Sequence, residues 1–286
     1  MRAMTTPCGS TATRGGTPLG RIIPLYVYPA NLPGRQGRDE WESCSGTECG
    51  GPTFVIANVA NGVADPRAPW TNVPSPGPGA WSVQEATTAT LAVLPQVDPA
   101  YEDAITSLVH RGVQVLGYVD TGYGCIPLGT PDSADPSTVL GQARLWFDLY
   151  PGVCGVFLDQ VPTAGTVAER HGIRMISDLV PGIVAANSGQ LPGSDWLVAA
   201  GADLVVYENY LADFLTLEPP PWTAAVGPGS LGAILHGAGG PADVARAIAT
   251  AEANGFGHLY VTDGCQGSGN PYDGLPSPAI WNALLG

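Results

Sequence analysis

The sequence predicts an α/β protein folded as one closed (β/α)8 barrel, the TIM-barrel architecture. Short apolar runs bounded by Gly, Pro, Asn or Asp recur along the chain, as expected of strands that are buried on both faces. Helical patterns lie between several of these runs, which indicates parallel strands joined by right-handed crossovers. The chain has 286 residues, a length that one barrel of this kind accommodates.

Eight segments have the composition of buried strands, because each is rich in Val, Ile, Leu or Tyr and is followed by turn residues. They are residues 21–29, 53–60, 113–121, 153–161, 182–187, 203–208, 231–236 and 258–263. Eight such units in a row favour a closed barrel over an open doubly wound sheet. The first strand also lacks the following GxGxxG motif that dinucleotide-binding sheets carry.

Helix signals separate the strands, with a Pro in the first turn and, for the internal helices, a Gly near the end. The predicted openings are Asp98-Pro99, Asp135-Pro136, Gly240-Pro241 and Ser277-Pro278. Residues 1–20 are polar and rich in Gly and Thr, so we expect a flexible segment there. Residues 21–286 are then expected to form a single catalytic barrel domain.

Composition and charge argue against several functional classes. The net charge is -14, no Lys is present, and the Arg residues form no stripe, which disfavours binding to nucleic acid. No apolar stretch is long enough to span a bilayer. The four His stand apart without an HxH or HExxH motif, so a metal-dependent hydrolase is a weak alternative. We expect no cofactor, no metal, no membrane contact and a monomeric protein.

The cysteines point to an oxidising compartment. The chain has 6 Cys, an even number that permits disulfides. Cys44 and Cys49 bracket a short segment and are predicted to form a local disulfide. A secreted or cell-surface protein is therefore expected, although residues 1–20 contain no apolar signal region.

Two carboxylates end predicted strands, where barrel enzymes place their catalytic groups. Asp159 closes the fourth strand and Glu208 the sixth. A carboxylate at such a low-dielectric position is costly unless it is used or paired, the alternative being a helix cap or an Arg partner. The two strands lie roughly 9–10 Å apart, so the carboxyls can approach the roughly 5–9.5 Å that glycoside hydrolysis uses. We predict Asp159 as nucleophile or charge stabiliser and Glu208 as general acid/base.

Other polar residues at strand ends are predicted to bind the substrate. They are Tyr28, Asn58, Tyr118, Asp120, Tyr123, Gln160, Asn187, Tyr210, His236 and Asp263. Aromatic rings are a second signal for carbohydrate, because they stack on the apolar faces of sugars. The candidates are Tyr28, Tyr123, Tyr210, Trp70, Trp81 and Trp222. Core packing explains any single ring equally well, so two or three are expected to act as platforms.

Several motifs, in this order, resemble those of the spherulin-4-like proteins. They are Ile-Pro-Leu-Tyr-Val-Tyr-Pro (23–29), Val-Ile-Ala-Asn (55–58), Gly-Tyr-Val-Asp-Thr-Gly-Tyr-Gly (117–124), Gly-Val-Phe-Leu-Asp (155–159), Val-Val-Tyr-Glu (205–208), Tyr-Val-Thr-Asp (260–263) and Asn-Pro-Tyr-Asp-Gly-Leu-Pro (270–276). The resemblance covers the chain from about residue 21 onwards. It implies a (β/α)8 fold and an activity similar to endo-α-1,4-N-acetylgalactosaminidases, which cut galactosaminogalactan-type exopolysaccharides. The acidic residues of the family fall on Asp159 and Glu208.

Two positions depart from the pattern of that family. Gln160 stands where the family usually has Glu, and Ala-Asn-Ser-Gly (186–189) stands where it tends to have Asn-Pro-Gly. An amide carries neither a labile proton nor a negative charge. Gln160 then either binds a sugar or faces the helix layer. The sequence therefore leaves open a glycoside hydrolase, in which a 2-acetamido group of the substrate could also act as nucleophile, and a carbohydrate-binding barrel that has lost catalysis.

Overall fold

The computed structural model confirms the closed eight-stranded parallel barrel. It describes residues 19–32, 35–44, 52–59, 97–132, 135–265, 267 and 269–286. The barrel strands are β1 (Gly20–Leu25), β2 (Thr53–Ala57), β3 (Gln114–Asp120), β4 (Val153–Asp159), β5 (Ile183–Asn187), β6 (Leu204–Tyr210), β7 (Leu231–His236) and β8 (His258–Val261). Neighbours in sequence are neighbours in the sheet, and β8 pairs in parallel with β1 to close it.

A helix follows each strand. The helices are α1 (Gly37–Ser43), α2 (Pro99–His110), α3 (Val139–Leu149), α4 (Val167–Leu179), α5 (Trp196–Ala199), α6 (Leu211–Phe214), α7 (Pro241–Ala253) and α8 (Pro278–Leu285). Short 3-10 turns occupy Gly122–Gly124, Pro221–Ala225 and Pro228–Ser230, and Asn31–Leu32 pairs with Arg35–Gln36 in a small antiparallel ladder. None of the helices in the described ranges is long and apolar enough to cross a membrane.

Side-chain caps explain where the longer helices begin. The Asp98 carboxylate accepts a hydrogen bond from the Ala100 N–H and starts α2 as predicted. The prediction for α3 was early by a few residues, because Asp135 accepts its bonds from Ser137 in a turn. Thr138 is the cap there, accepting from the Gly141 N–H. The helix therefore begins at Val139, beyond Pro136.

The first predicted strand was too long. β1 ends at Leu25 rather than near residue 29, because the Tyr26 N–H donates to the Tyr272 carbonyl at 3.1 Å instead of to a neighbouring strand. In the other direction, β6 continues to Tyr210 because Asn209 and Tyr210 keep their register with β7. These ends of the strands form the rim of the barrel mouth.

Strand register decides which side chains point into the barrel. A Cβ on Gly117 would lie 2.3 Å from the ring of Trp146 on α3, so the odd residues of β3 face the helix layer. Tyr118 and Asp120 therefore point inward. Asp120 pairs in register with Asp159 on β4, so the Asp159 side chain points inward as well. This alternation delivers polar side chains to the C-terminal mouth while apolar residues fill the interior below.

The predicted Cys44–Cys49 disulfide is not formed. Cys44 is a free, buried thiol whose Sγ contacts the Glu40 carbonyl at 3.5 Å. Burial raises the pKa of this thiol to about 12, because the thiolate is excluded from an apolar site. Cys49 itself lies outside the described residues, as do Trp70, Trp81 and most of the predicted flexible segment.

Candidate active site

One asparagine joins the two predicted catalytic carboxylates. Asn187, at the end of β5 between the strands that carry them, donates from Nδ2 to Asp159 Oδ1 at 2.7 Å and to Glu208 Oε2 at 2.5 Å. Its Oδ1 accepts from the Gly189 N–H at 3.0 Å, which fixes the orientation of the amide. The predicted substrate contact Asn187 is therefore engaged by the protein, and it holds the two carboxylates on either side of one nitrogen.

Two tyrosines supply the remaining carboxylate oxygens with donors. Tyr118 donates to Asp159 Oδ2 at 2.8 Å, and Tyr272 donates to Glu208 Oε1 at 2.6 Å. The ring of Tyr26 lies edge-on to both of them, with centroid separations of 5.5 Å to Tyr118 and 5.6 Å to Tyr272. All four carboxylate oxygens thus accept a hydrogen bond within a wall of three tyrosines.

The environment separates the two carboxylates in acidity. Burial raises the pKa of Glu208 to about 7, and the charge of Asp159 adds to the shift, while the bonds from Tyr272 and Asn187 oppose it. Burial also raises the pKa of Asp159, but three donors oppose it, namely Tyr118, the Gln160 backbone and Asn187. Near neutral pH the pair can therefore hold one proton, and the large shift at Glu208 favours that residue as its carrier.

Three further predicted residues lie near Asp159. Asp120 accepts from the Gly122 N–H at 2.7 Å, and burial followed by the Asp159 charge raises its pKa. Tyr123 is 64% exposed at the rim, and burial of its hydroxyl, then the nearby carboxylates, raise its pKa. Gln160 adopts a left-handed backbone with φ of 54°, so the alternation of inward and outward side chains along β4 does not predict the direction of its side chain.

Tyr210 and His236 form a separate part of the mouth, on β6 and β7. Their rings meet edge-on at 4.2 Å, with Tyr210 41% exposed and His236 buried. Neither nitrogen of His236 has a hydrogen-bond partner among the described residues, and burial lowers its pKa. The His236 imidazole is therefore closed off from the mouth, and of the two rings only that of Tyr210 is open to a ligand.

Other predicted contacts are engaged in the scaffold. The Tyr28 hydroxyl donates to Asp98 Oδ1 at 3.3 Å, and the Asn58 carbonyl accepts from Tyr101 at 2.9 Å. Asp263 accepts from the Ser277 N–H at 3.1 Å and so anchors the start of α8.

Trp222 is also held by the protein, because its Nε1 donates to the Pro192 carbonyl at 2.8 Å. Tyr28, Asp263 and Trp222 therefore have structural bonds, which neither a position at a strand end nor an aromatic side chain distinguishes from substrate contacts.

Tyr26 and Tyr272 were missed as site residues. A first strand that reaches residue 29 favours Tyr28 over Tyr26 as the site residue at its end. The observed strand ends at Leu25 and favours Tyr26 instead. Tyr272 lies in the segment 270–276, which carries part of the family resemblance but belongs to no strand. The pairing of its carbonyl with the Tyr26 N–H helps to bring it to Glu208, and no local sequence pattern reveals that contact.

The fold and the site define a (β/α)8 barrel with two carboxyl groups, those of Asp159 and Glu208, paired at its C-terminal mouth. Residues 88–286 match the model of the Spherulation-specific family 4, and the chain belongs to that family. The sequence is 26% identical over 214 residues to Spherulin-4 of Physarum polycephalum, covering 73% of this chain and 50% of the relative. The chain thus spans about half the length of that curated relative.

A solved structure has the same fold. The crystal structure of Aspergillus clavatus Sph3 in complex with GalNAc superposes with a TM-score of 0.62 at 19% identity. The match covers 95% of this chain and 99% of Sph3. The likeness extends over the whole barrel.

Proposed function

We propose that the protein is a glycoside hydrolase that uses Asp159 and Glu208 as its catalytic pair. The observation that carries this proposal is the Asn187 bridge, which holds both carboxylates at one nitrogen. Two oxygens bound to one nitrogen in this way lie within about 5 Å of each other, close to the separation of about 5–5.5 Å in retaining glycosidases and short of the inverting range.

The reaction follows from the acidity of the two groups. Glu208, with a pKa of about 7, donates its proton to the glycosidic oxygen. Asp159, whose carboxylate accepts from three donors that oppose the effect of burial on its pKa, attacks the anomeric carbon or stabilises its positive charge. Glu208 then removes a proton from water, and the water oxygen displaces Asp159.

The substrate class rests on the family and the fold. Sph3 was crystallised with GalNAc, which supports a hexosamine polymer as the substrate of this barrel. We assign an endo-acting cleavage of an α-1,4-linked exopolysaccharide containing galactosamine or N-acetylgalactosamine. Such a polymer lies outside the cell, so the enzyme is proposed to be secreted or held at the cell surface.

Gln160 favours a second function, a carbohydrate-binding barrel without catalysis. Its backbone carbonyl accepts from Thr121 and Tyr123, and its N–H stabilises the Asp159 carboxylate. These backbone contacts require no acidic side chain at position 160. Because Asp159 and Glu208 form a complete carboxylate pair without the side chain of Gln160, the hydrolase remains the first proposal.

The test is incubation of the wild-type protein with purified α-1,4-linked galactosamine polymers, followed by mass spectrometry of released oligosaccharides. Wild type is expected to release oligomers, and Asp159→Asn is the matched inactive control. Mass spectrometry of protein trapped during turnover distinguishes a nucleophilic Asp159, which carries a glycosyl adduct, from an Asp159 that only stabilises the positive charge. Polymer binding without cleavage, together with cleavage by Gln160→Glu, would establish the binding barrel instead.

A further inference from the structure

Three consecutive residues after β3 adopt a left-handed backbone. The φ angles are 55° at Gly122, 54° at Tyr123 and 83° at Gly124. L-residues with a Cβ avoid this region because the Cβ approaches the following carbonyl, so glycine is expected at all three positions. The chain follows that expectation on both sides and departs from it only at the middle residue, which is a tyrosine.

Core packing does not account for this tyrosine. The Tyr123 side chain is 64% exposed, so it buries little apolar surface that would offset an unfavourable backbone. The residue nevertheless lies at the mouth, because its N–H donates to the carbonyl of Gln160, which follows Asp159, and desolvation followed by the charges of Asp159 and Glu208 raises its pKa. A strained residue that is open to solvent beside reactive groups is characteristic of a functional position.

A second left-handed residue faces it across the strands. Gln160, with φ of 54°, accepts from the Tyr123 N–H at 2.7 Å and from Thr121 Oγ1 at 2.8 Å. Its own N–H stabilises the ionised carboxylate of Asp159. We call the contacts among Thr121, Tyr123 and Gln160 the clasp. The clasp connects the backbone beneath Asp159 to the backbone that presents the exposed ring.

We infer that Tyr123 is a stacking platform for a pyranose ring of the substrate beside the bond to be cleaved, and that the clasp fixes its ring relative to Asp159. This inference rests on the proposed carbohydrate function and adds to it a defined subsite. The ligand class is a sugar that presents an apolar face of C–H groups to the phenol ring. The hydroxyl is not required, since the contact is made by the ring face.

Binding is measured in the Asp159→Asn background, where turnover does not interfere, by calorimetric titration with a soluble α-1,4-linked N-acetylgalactosamine oligosaccharide. Tyr123→Ala is expected to raise Kd by about 3- to 10-fold, which corresponds to the loss of one aromatic contact. Tyr123→Phe is expected to bind as the parent does. Leu179→Ala, which truncates another exposed apolar side chain on α4, is the control. In otherwise wild-type enzyme the Tyr123→Ala loss is expected to fall on KM more than on kcat.

Strain is measured separately by comparing Tyr123→Gly with Tyr123→Ala, since both lack the ring and only Gly removes the left-handed Cβ. The Gly variant is expected to melt roughly 2–4 °C higher. A lower melting temperature for Tyr123→Gly than for Tyr123→Ala would overturn the inference that the backbone of Tyr123 is strained. Unchanged Kd in Tyr123→Ala would overturn the subsite while leaving a hydrolase that cleaves polymer intact. A protein that neither binds nor cleaves the sugar would overturn both proposals.

Discussion

The two ends of the barrel bury titratable groups in opposite ways. At the N-terminal end His258 packs against Phe54, and Gly20 leaves so little room that an added Cβ would lie 2.7 Å from His258 Nδ1. Burial lowers the pKa of His258 to about 4. At the C-terminal end burial raises the pKa of Glu208 to about 7. Desolvation favours the neutral form in both places, but hydrogen-bond donors surround the carboxylates at the mouth alone. The N-terminal end is therefore closed by tight packing, whereas the C-terminal end holds hydrogen-bonded carboxyl groups that are suited to catalysis.

Removal of the carboxylates at the mouth is expected to have the largest effect. Asp159→Asn and Glu208→Gln are each expected to lower kcat by roughly 10²–10⁴-fold or more, because a nucleophile or a general acid is lost. The measurement is initial rate on polymer, with the melting temperature recorded for each variant. Asp263→Asn is the matched control, since its carboxylate also follows a strand but anchors α8. Near-normal turnover in either variant would remove that residue from the mechanism.

The Asn187 bridge is expected to have the next largest effect. Asn187→Ala removes one donor from Asp159 and one from Glu208, and both bonds favour the ionised forms. The pKa of each carboxyl should therefore rise, and both limbs of the pH–rate profile should move to higher pH, with kcat reduced roughly 10- to 100-fold. A uniform loss of rate with an unshifted profile would contradict the bridging role.

A substitution at the N-terminal end of the barrel is expected to change stability and to leave the rate of the reaction unchanged. In Gly20→Ala the new Cβ would lie 2.5 Å from the Pro52 carbonyl oxygen, which belongs to backbone and cannot rotate away. We expect a loss of about 1–3 kcal/mol in the free energy of unfolding and an unchanged kcat for the folded protein. Chemical denaturation measures the first quantity. Gly227→Ala, which meets nothing within 4 Å, should stay close to wild type.

The two buried groups are also expected to give a pair of opposite pH slopes in stability. The protonated Glu208 stabilises the fold fully below pH 4.5, and this contribution is lost as pH rises to about 7. The neutral His258 stabilises it above pH 6.5, and this contribution is lost as pH falls to about 4.

Each slope is at most about 1.4 kcal/mol per pH unit. Denaturation curves from pH 4 to 8 should show that Glu208→Gln removes the first loss and His258→Gln the second. Parallel curves for all three proteins would show that neither group titrates as the structure indicates.

Sequence reasoning identified the strands and the carboxylate pair because both follow from local patterns. An apolar run that ends in Asp159 or Glu208 carries its own signal, and closure of eight such units fixes which end of the barrel they share. The connections around them do not follow locally. Asn187 was predicted to contact substrate, but its bridging role depends on the relative register of β4, β5 and β6.

Contacts between distant residues and unusual backbone conformations caused the other errors. Tyr26 was passed over because nothing near it in sequence shows that its N–H pairs with a carbonyl at position 272. The disulfide was predicted from the short spacing of Cys44 and Cys49, whereas Cys44 turns into the apolar surroundings of α1. A left-handed Gln160 or Tyr123 also cannot be read from composition, because residues with a Cβ seldom adopt that backbone.

The position of Tyr272 has a consequence for biosynthesis. Glu208 receives one of its donors from a residue 64 positions further along the chain, and that same residue pairs through its backbone with Tyr26 beside the first strand. A nascent chain still on the ribosome, with all eight strands emerged but residue 272 within the exit tunnel, would lack this contact. The Glu208 carboxyl would then lack the donor that Tyr272 supplies until the segment 270–276 has left the tunnel.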